Sequence, residues 1–276
     1  MGSTDIVRAQ LDAYRRLHGD EVGPDIVARW EGWLKEAWSA VQHEQTKKRF
    51  VELEAEKERR RLSHKYLRGR GIEIGALHTP LPLPPEAEVL YVDRCDTELL
   101  PLLYPEVAAF TFVPVDIVDD GEVLGTLEDS SVDFVIANHF LEHCQDPLGA
   151  LSAHIRVLRD GGVLYCAVPD CRSTFDSVRE RTTFDHLWRD HTEGPGWSRR
   201  AHYQDWTEKV SKRLGAEYEA FWRLLDALDY SIHFHVWSPL DFLDALLRAR
   251  VLMQLPVDIQ EFVQHSNECI VILRKM

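Results

Sequence analysis

The run Gly71-Ile72-Glu73-Ile74-Gly75 decides how this chain folds. It is an apolar strand closing on an acid and a glycine. Eighteen residues after Gly75, the run Val89-Leu90-Tyr91-Val92 closes on Asp93. A glycine lets backbone approach a ligand, and a carboxylate accepts hydrogen bonds from ribose hydroxyls, so the pair suits a nucleoside cofactor. A third stretch, Val132-Asp133-Phe134-Val135-Ile136-Ala137-Asn138-His139, brings polar groups to the same crevice.

Outward from this centre, apolar runs predict strands over 71–75, 88–93, 110–115, 132–137 and 163–168, with helices near 96–103 and 146–159 between them. Pro80, Pro82, Pro84 and Pro85 forbid a helix in 76–88, which is expected as a loop. Asp146-Pro147 supplies an N-cap and a first helical residue, and Asp160-Gly161-Gly162 ends that helix. Alternation of strand and helix implies an α/β fold with a mostly parallel, doubly wound sheet. Residues 170–236 break the rhythm. They are rich in Trp and His, with a helix expected at 216–228, and are expected to be an insertion covering the crevice. A helix from Ser238-Pro239 to about 249 follows. Strands 257–264 and 269–274 are then joined too closely for a crossover and must be antiparallel.

Before residue 68 the pattern is helical: 5–18, then a long helix over 25–67 with Trp30, Trp33 and Trp38 on one face. We therefore expect an N-terminal extension (1–67) and a main domain (68–276), with the tryptophan face packed on that domain or on a second copy in a homodimer. The 276 residues carry a net charge of −14, which disfavours non-specific contact with nucleic acid or an anionic membrane. The five cysteines form no C-x-x-C pair and are odd in number, against a zinc knuckle or disulfide framework. No run approaches the roughly 20 apolar residues of a membrane span, and no signal-peptide core is present; a cytoplasmic location is the expectation.

This layout resembles the class I S-adenosylmethionine-dependent methyltransferases, by motif over 68–169 and by layout over 238–276. The resemblance implies a Rossmann-like seven-stranded sheet whose last strand enters through a terminal antiparallel hairpin. It assigns Glu73 and Gly75 to the first cofactor motif, Asp93 to the ribose, Asp116 and Ile117 to the adenine, and Asn138 to the methyl end. Leu141-Glu142-His143 with Asp146-Pro147, and Arg156 through Gly162, look like a small-molecule subgroup. The family carries further glycines and a helix after Gly75. Here Ala76, Leu77 and His78 follow, so Ala76 joins the expected cofactor contacts on weaker ground. The missing glycines also disfavour a nicotinamide site, which brings a diphosphate to a helix N-terminus.

The expected activity is methyl transfer to a hydroxyl of a small, sugar-like or glycosidic acceptor. N-methylation and a catalytically silent cofactor-binding scaffold are the alternatives. A catalytic base is sought among His139, His143, His186 and His191, since imidazole can take a hydroxyl proton near neutrality. In some relatives the matching acid and histidine bind a divalent ion such as magnesium. Glu142, His143 and Asp170 are the candidate ligands if such an ion is used. His186 and His191 stand at i,i+5, poor geometry for one helix face, so no zinc site is expected there. His233 and His235 at i,i+2 would share a face in a strand.

Overall fold

The computed structural model describes residues 56–276, apart from the side chain of Glu106. The expected helices of 5–18 and of most of 25–67, with Trp30, Trp33 and Trp38, lie outside the described residues. The described residues open with a helix over 56–66 (α1). It continues through β1 (Gly69–Ile74), β2 (Ala87–Asp93), a short α2 (Leu100–Leu103), β3 (Ile117–Val118), β4 (Val132–Asn138), α3 (Pro147–Val157) and β5 (Leu158–Pro169). Then come α4 (Phe184–Glu193), α5 (Gly196–Asp205), α6 (Ala216–Ala227), α7 (Pro239–Leu252), β6 (Val257–His265) and β7 (Glu268–Lys275).

The sheet has seven strands in the order β3-β2-β1-β4-β5-β7-β6. β1 through β5 run parallel, while β7 is antiparallel to both β5 and β6. This is the seven-stranded Rossmann-like sheet with a terminal hairpin. Each strand splits its side chains between two faces because successive residues point opposite ways. Ile72, Ile74, Val135, Ala137, Leu164 and Cys166 face one core, filled by Leu148, Leu151 and Ile155 of α3 and Phe242 and Leu246 of α7. Phe134, Ile136, Val163, Tyr165 and Ala167 face the other, filled by Leu62 of α1, Leu67, and Leu81 of the proline loop. Gly71 is glycine for a steric reason. A Cβ there would lie 2.4 Å from the Phe134 carbonyl oxygen and 2.2 Å from its ring.

Several expected boundaries move. The apolar run 110–115 is not a strand; Pro114 removes a donor, Val113 N–H goes to Leu77 O, and Phe110 stacks on His78 at 4.4 Å. The third strand is only Ile117–Val118. The helix expected over 96–103 shrinks to Leu100–Leu103, because Pro101 fits only the first turn. Gly161-Gly162 does not end a helix. α3 stops at Val157, and Leu158 already extends into β5 with a register shift against β4. The boundary expected at 67/68 cuts through packed structure, since Leu62 and Leu67 are fully buried in the sheet-face core.

Candidate cofactor and acceptor site

A cavity of about 400 Å³ opens at the C-terminal ends of β1, β2, β3 and β4. The volume falls within the ~300–1,000 Å³ of small-ligand sites. β1 and β4 are neighbours although β2 and β3 lie between them in sequence, so the cavity sits where the winding direction reverses.

Gly75 follows β1 with φ +64°, and its N–H reaches Val92 O at 2.9 Å. That left-handed backbone suits glycine and keeps the strand end bare of side chain. Asp93, the last residue of β2, lines the same wall. Arg94 N–H donates to its Oδ1 at 2.8 Å. Burial pushes the Asp93 carboxyl up to about 6, against the pull of the Arg94 amide and guanidinium. Asp120 and Gly121, just past β3, complete this end. A Cβ on Gly121 would come within 2.6 Å of Ile74 and the Phe140 ring. The Gly121 carbonyl accepts from His154 Nε2 at 2.9 Å. Burial holds the His154 pKa down at about 4, so its ring is a neutral donor.

Across the cavity stand His139 and His143. His139 has φ +48°, a conformation costly outside glycine and concentrated at functional sites. Its Nε2 meets Glu268 Oε2 at 2.7 Å, and Arg59 Nε grips the other oxygen of Glu268 at 2.8 Å. Burial alone would raise the Glu268 pKa. The hydrogen bonds from His139 and Arg59 outweigh it and hold the carboxyl at about 2. His143 Nδ1 lies 3.0 Å from both Ser231 Oγ and Ile232 O. Burial, with His233 next to it, pushes the His143 pKa well below its ordinary value.

Behind these rings the Glu142 carboxylate is fully buried, and neither oxygen makes a hydrogen bond. Burial raises its pKa against the attraction of His139 and His233. One Glu142 oxygen lies 3.6 Å from His139 Nδ1. Glu142, His143 and His233 bring ligand atoms within 4.8 Å of one another. Asp170, the third expected ligand, is turned away: it caps the turn at Cys171 and pairs with Arg172 Nη2 at 2.7 Å. One carboxylate and two imidazoles suit magnesium poorly, because that ion prefers oxygen donors.

The segment after α6 adds to the cavity wall. Asp229 and Ser231 line it, and Asp229 pairs with Arg94 at 3.3 Å. Phe234 N–H and His235 N–H both donate to Glu142 O, tying the insertion to the segment after β4.

Of the expected residues, Gly75, Asp93, His139 and His143 line the cavity. Glu73 is adjacent in sequence but points to the other sheet face. Both its oxygens accept from Leu81 N–H, at 2.9 and 3.1 Å, so it anchors the proline loop. Burial raises the Glu73 pKa to about 7, opposed by Leu81, Arg59 and Asn138. Ala76 is buried outside the lining, and Asn138 sits on the Glu73 side. Asp116 starts the third strand rather than ending it, and its Oδ2 accepts from Tyr91 N–H at 2.9 Å; Ile117 packs into the core. Asp120, two residues past that short strand, takes the place expected of Asp116 on the cavity wall. Its Asp-Gly pair was the available signal. His186 and His191 lie outside the lining, because α4 folds against α3. His191 Nδ1 contacts Asp146 at 2.9 Å, while His186 joins Asp190, His202 and His235. Sequence reading missed Glu268 and that second cluster, which only tertiary folding assembles.

The family described as "Methyltransferase domain" matches residues 69–166. No curated protein sequence matches the chain. Among solved structures, a SAM-dependent methyltransferase from Aquifex aeolicus is similar at 12% identity, covering 86% of this chain and 98% of its own, with TM-score 0.46. A Thermotoga maritima SAM-dependent methyltransferase, described as a possible histamine N-methyltransferase, is 16% identical over 87% of this chain and 99% of its own, with TM-score 0.45. Likeness at that level bears no weight; the strand order and the matched domain do.

Proposed function

We propose that this chain, which carries a class I S-adenosylmethionine-dependent methyltransferase domain, methylates a hydroxyl of a small polyhydroxylated acceptor. The observation that carries the proposal is a cavity with Gly75 and Asp93 on one wall and His139 on the other. The donor set fits the cofactor. Asp93 and Asp120 present acids to a ribose diol and a cationic sulfonium, where a diphosphate would be repelled. When bound, S-adenosylmethionine supplies an electrophilic methyl group on sulfur.

The chain's own residues do the rest. Asp93 accepts hydrogen bonds from the ribose, and Gly75 allows close approach. His139 takes the proton from the acceptor hydroxyl at Nδ1, while Glu268 holds Nε2 and fixes the ring. Burial keeps His143 neutral, so it serves as a positioning donor or acceptor rather than as a cation. The insertion excludes water and brings Ser231 and Asp229 toward the acceptor. These polar side chains, with Gln145, support a hydroxylated acceptor over an apolar one.

The test is calorimetric titration with S-adenosylmethionine and S-adenosylhomocysteine, followed by methyl-labelled turnover on sugars, glycosides and amines. Binding with label transferred to a hydroxyl supports the proposal. Binding with transfer only to amines moves it to N-methylation, and binding without turnover favours the scaffold reading. No binding of either ligand ends it.

A further inference from the structure

We propose that His186, Asp190, His202 and His235 form a closed, four-ligand site for a zinc-class divalent ion that clips the insertion together. Three elements converge: α4 gives His186 and Asp190 at i,i+4, α5 gives His202, and the extended segment before α7 gives His235. Their ligand atoms all lie within 4.8 Å of one another. His186 Nε2 is 3.1 Å from His202 Nε2 and 3.1 Å from Asp190 Oδ2, and His235 Nε2 is 3.8 Å from that same oxygen. Tetrahedral ligands at ordinary zinc distances of about 2.0–2.1 Å stand about 3.3 Å apart, in the middle of this set.

The polar bookkeeping favours an ion over a hydrogen-bonded cluster. Asp190 is fully buried, and its Oδ2 makes no hydrogen bond despite its position between two imidazoles. His186 Nε2 faces both that oxygen and the His202 nitrogen, yet one ring nitrogen carries at most one proton. A cation at the centre would receive lone pairs from all of them. The other Asp190 oxygen accepts from buried Ser198 Oγ at 2.7 Å, the kind of outer bond that fixes a ligating carboxylate. Aromatic rings wall the site: Trp197 against His186 at 4.8 Å, Phe234 against His202 at 5.8 Å and Trp237 stacked on His235 at 5.7 Å. Three nitrogens and one oxygen within an apolar wall match zinc better than magnesium or calcium. Four protein ligands leave no open position, so the role is structural.

Elemental analysis of the full chain, purified without added metal or chelator, is expected to find close to one zinc per chain. After stripping, titration with Co²⁺ is expected to give the intense visible absorption of tetrahedral cobalt and to raise the melting temperature. Asp190→Asn and His202→Gln should abolish the stoichiometric metal, and Ser198→Ala should weaken it by about 10-fold or more. His191→Gln, outside the cluster, should retain it. If the ligand variants do not fold, the cobalt titration of the unaltered chain decides. Metal-free protein that takes up neither zinc nor cobalt would overturn the proposal. So would a metal kept by Asp190→Asn but lost from Glu142→Gln, which would place the ion among Glu142, His143 and His233.

Discussion

Asp93→Asn should make the protein at once more stable and worse at holding its cofactor. Burial raises the Asp93 pKa from 3.8 to about 6. The shift of about two units corresponds to about 3 kcal/mol. The sign follows from proton counting. Between those two values the folded chain holds the proton more firmly than the unfolded chain, so stability falls as pH rises through that window. The penalty is fully present above pH ~6 and gone below pH ~4. Asparagine keeps an acceptor for Arg94 N–H, 2.8 Å away in the parent, but carries no charge to desolvate. Urea unfolding of cofactor-free protein should therefore show Asp93→Asn gaining up to about 3 kcal/mol at pH 8, shrinking to about half by pH 5. Calorimetry at pH 8 should show the reverse for S-adenosylhomocysteine. Losing hydrogen bonds to a charged acceptor costs about 1.5–3 kcal/mol, or roughly 10- to 150-fold in Kd. A variant that binds normally, or that is less stable at pH 8 than its parent, would refute the placement of Asp93 as a buried ribose ligand.

Three further outcomes are expected. His139→Gln should lower kcat by about 10²- to 10⁴-fold with cofactor affinity changed little, read by single-turnover label transfer and calorimetry. Glu268→Gln should lose several kcal/mol by urea unfolding at pH 7, about 3–5 being typical when one partner of a buried ion pair is removed. Because the Glu268 pKa falls from 4.5 to about 2 on folding, its contribution is present above pH ~4.5 and lost as pH drops toward 2, so parent and variant should converge in acid. Gly71→Ala would drive a Cβ to 2.4 Å from the Phe134 carbonyl oxygen, and should cost at least about 1–3 kcal/mol or prevent soluble expression.

The sheet was legible because its central strands are short, nearly continuous apolar runs bounded by glycine or polar residues, as strands covered on both faces are. Ile72 and Ile74 on one face and Gly71 and Glu73 on the other could be sorted from the sequence alone. Yet the same alternation that sorts them also sends Glu73 away from the crevice, a consequence that the motif's compactness concealed. Strand three was misplaced because Phe110-Thr111-Phe112-Val113 has strand composition but spends its apolar surface on His78 and the proline loop. Asp120 was displaced from view by the same error. His139 and Asp93 could be found because they end strands, whereas Glu268 depends on β7 returning beside β5. The histidine cluster was beyond local spacing. His186 was weighed against His191, but its helical neighbour at i,i+4 is Asp190, and the remaining members come from 16 and 49 residues further on.

The stretch between Gly75 and Ala87 contains no helix, so that crossover covers the sheet face above Phe134 and Ile136 only with Leu81 and Leu83 of a loop. α1, which precedes the first strand, completes that cover with Leu62, and Leu67 beside it. Trimming a clone to start at Arg68, or to the family-matched portion, would therefore strip a wall from the domain and leave a greasy, aggregation-prone plane. Anyone shortening this gene should keep the codons for 56–67.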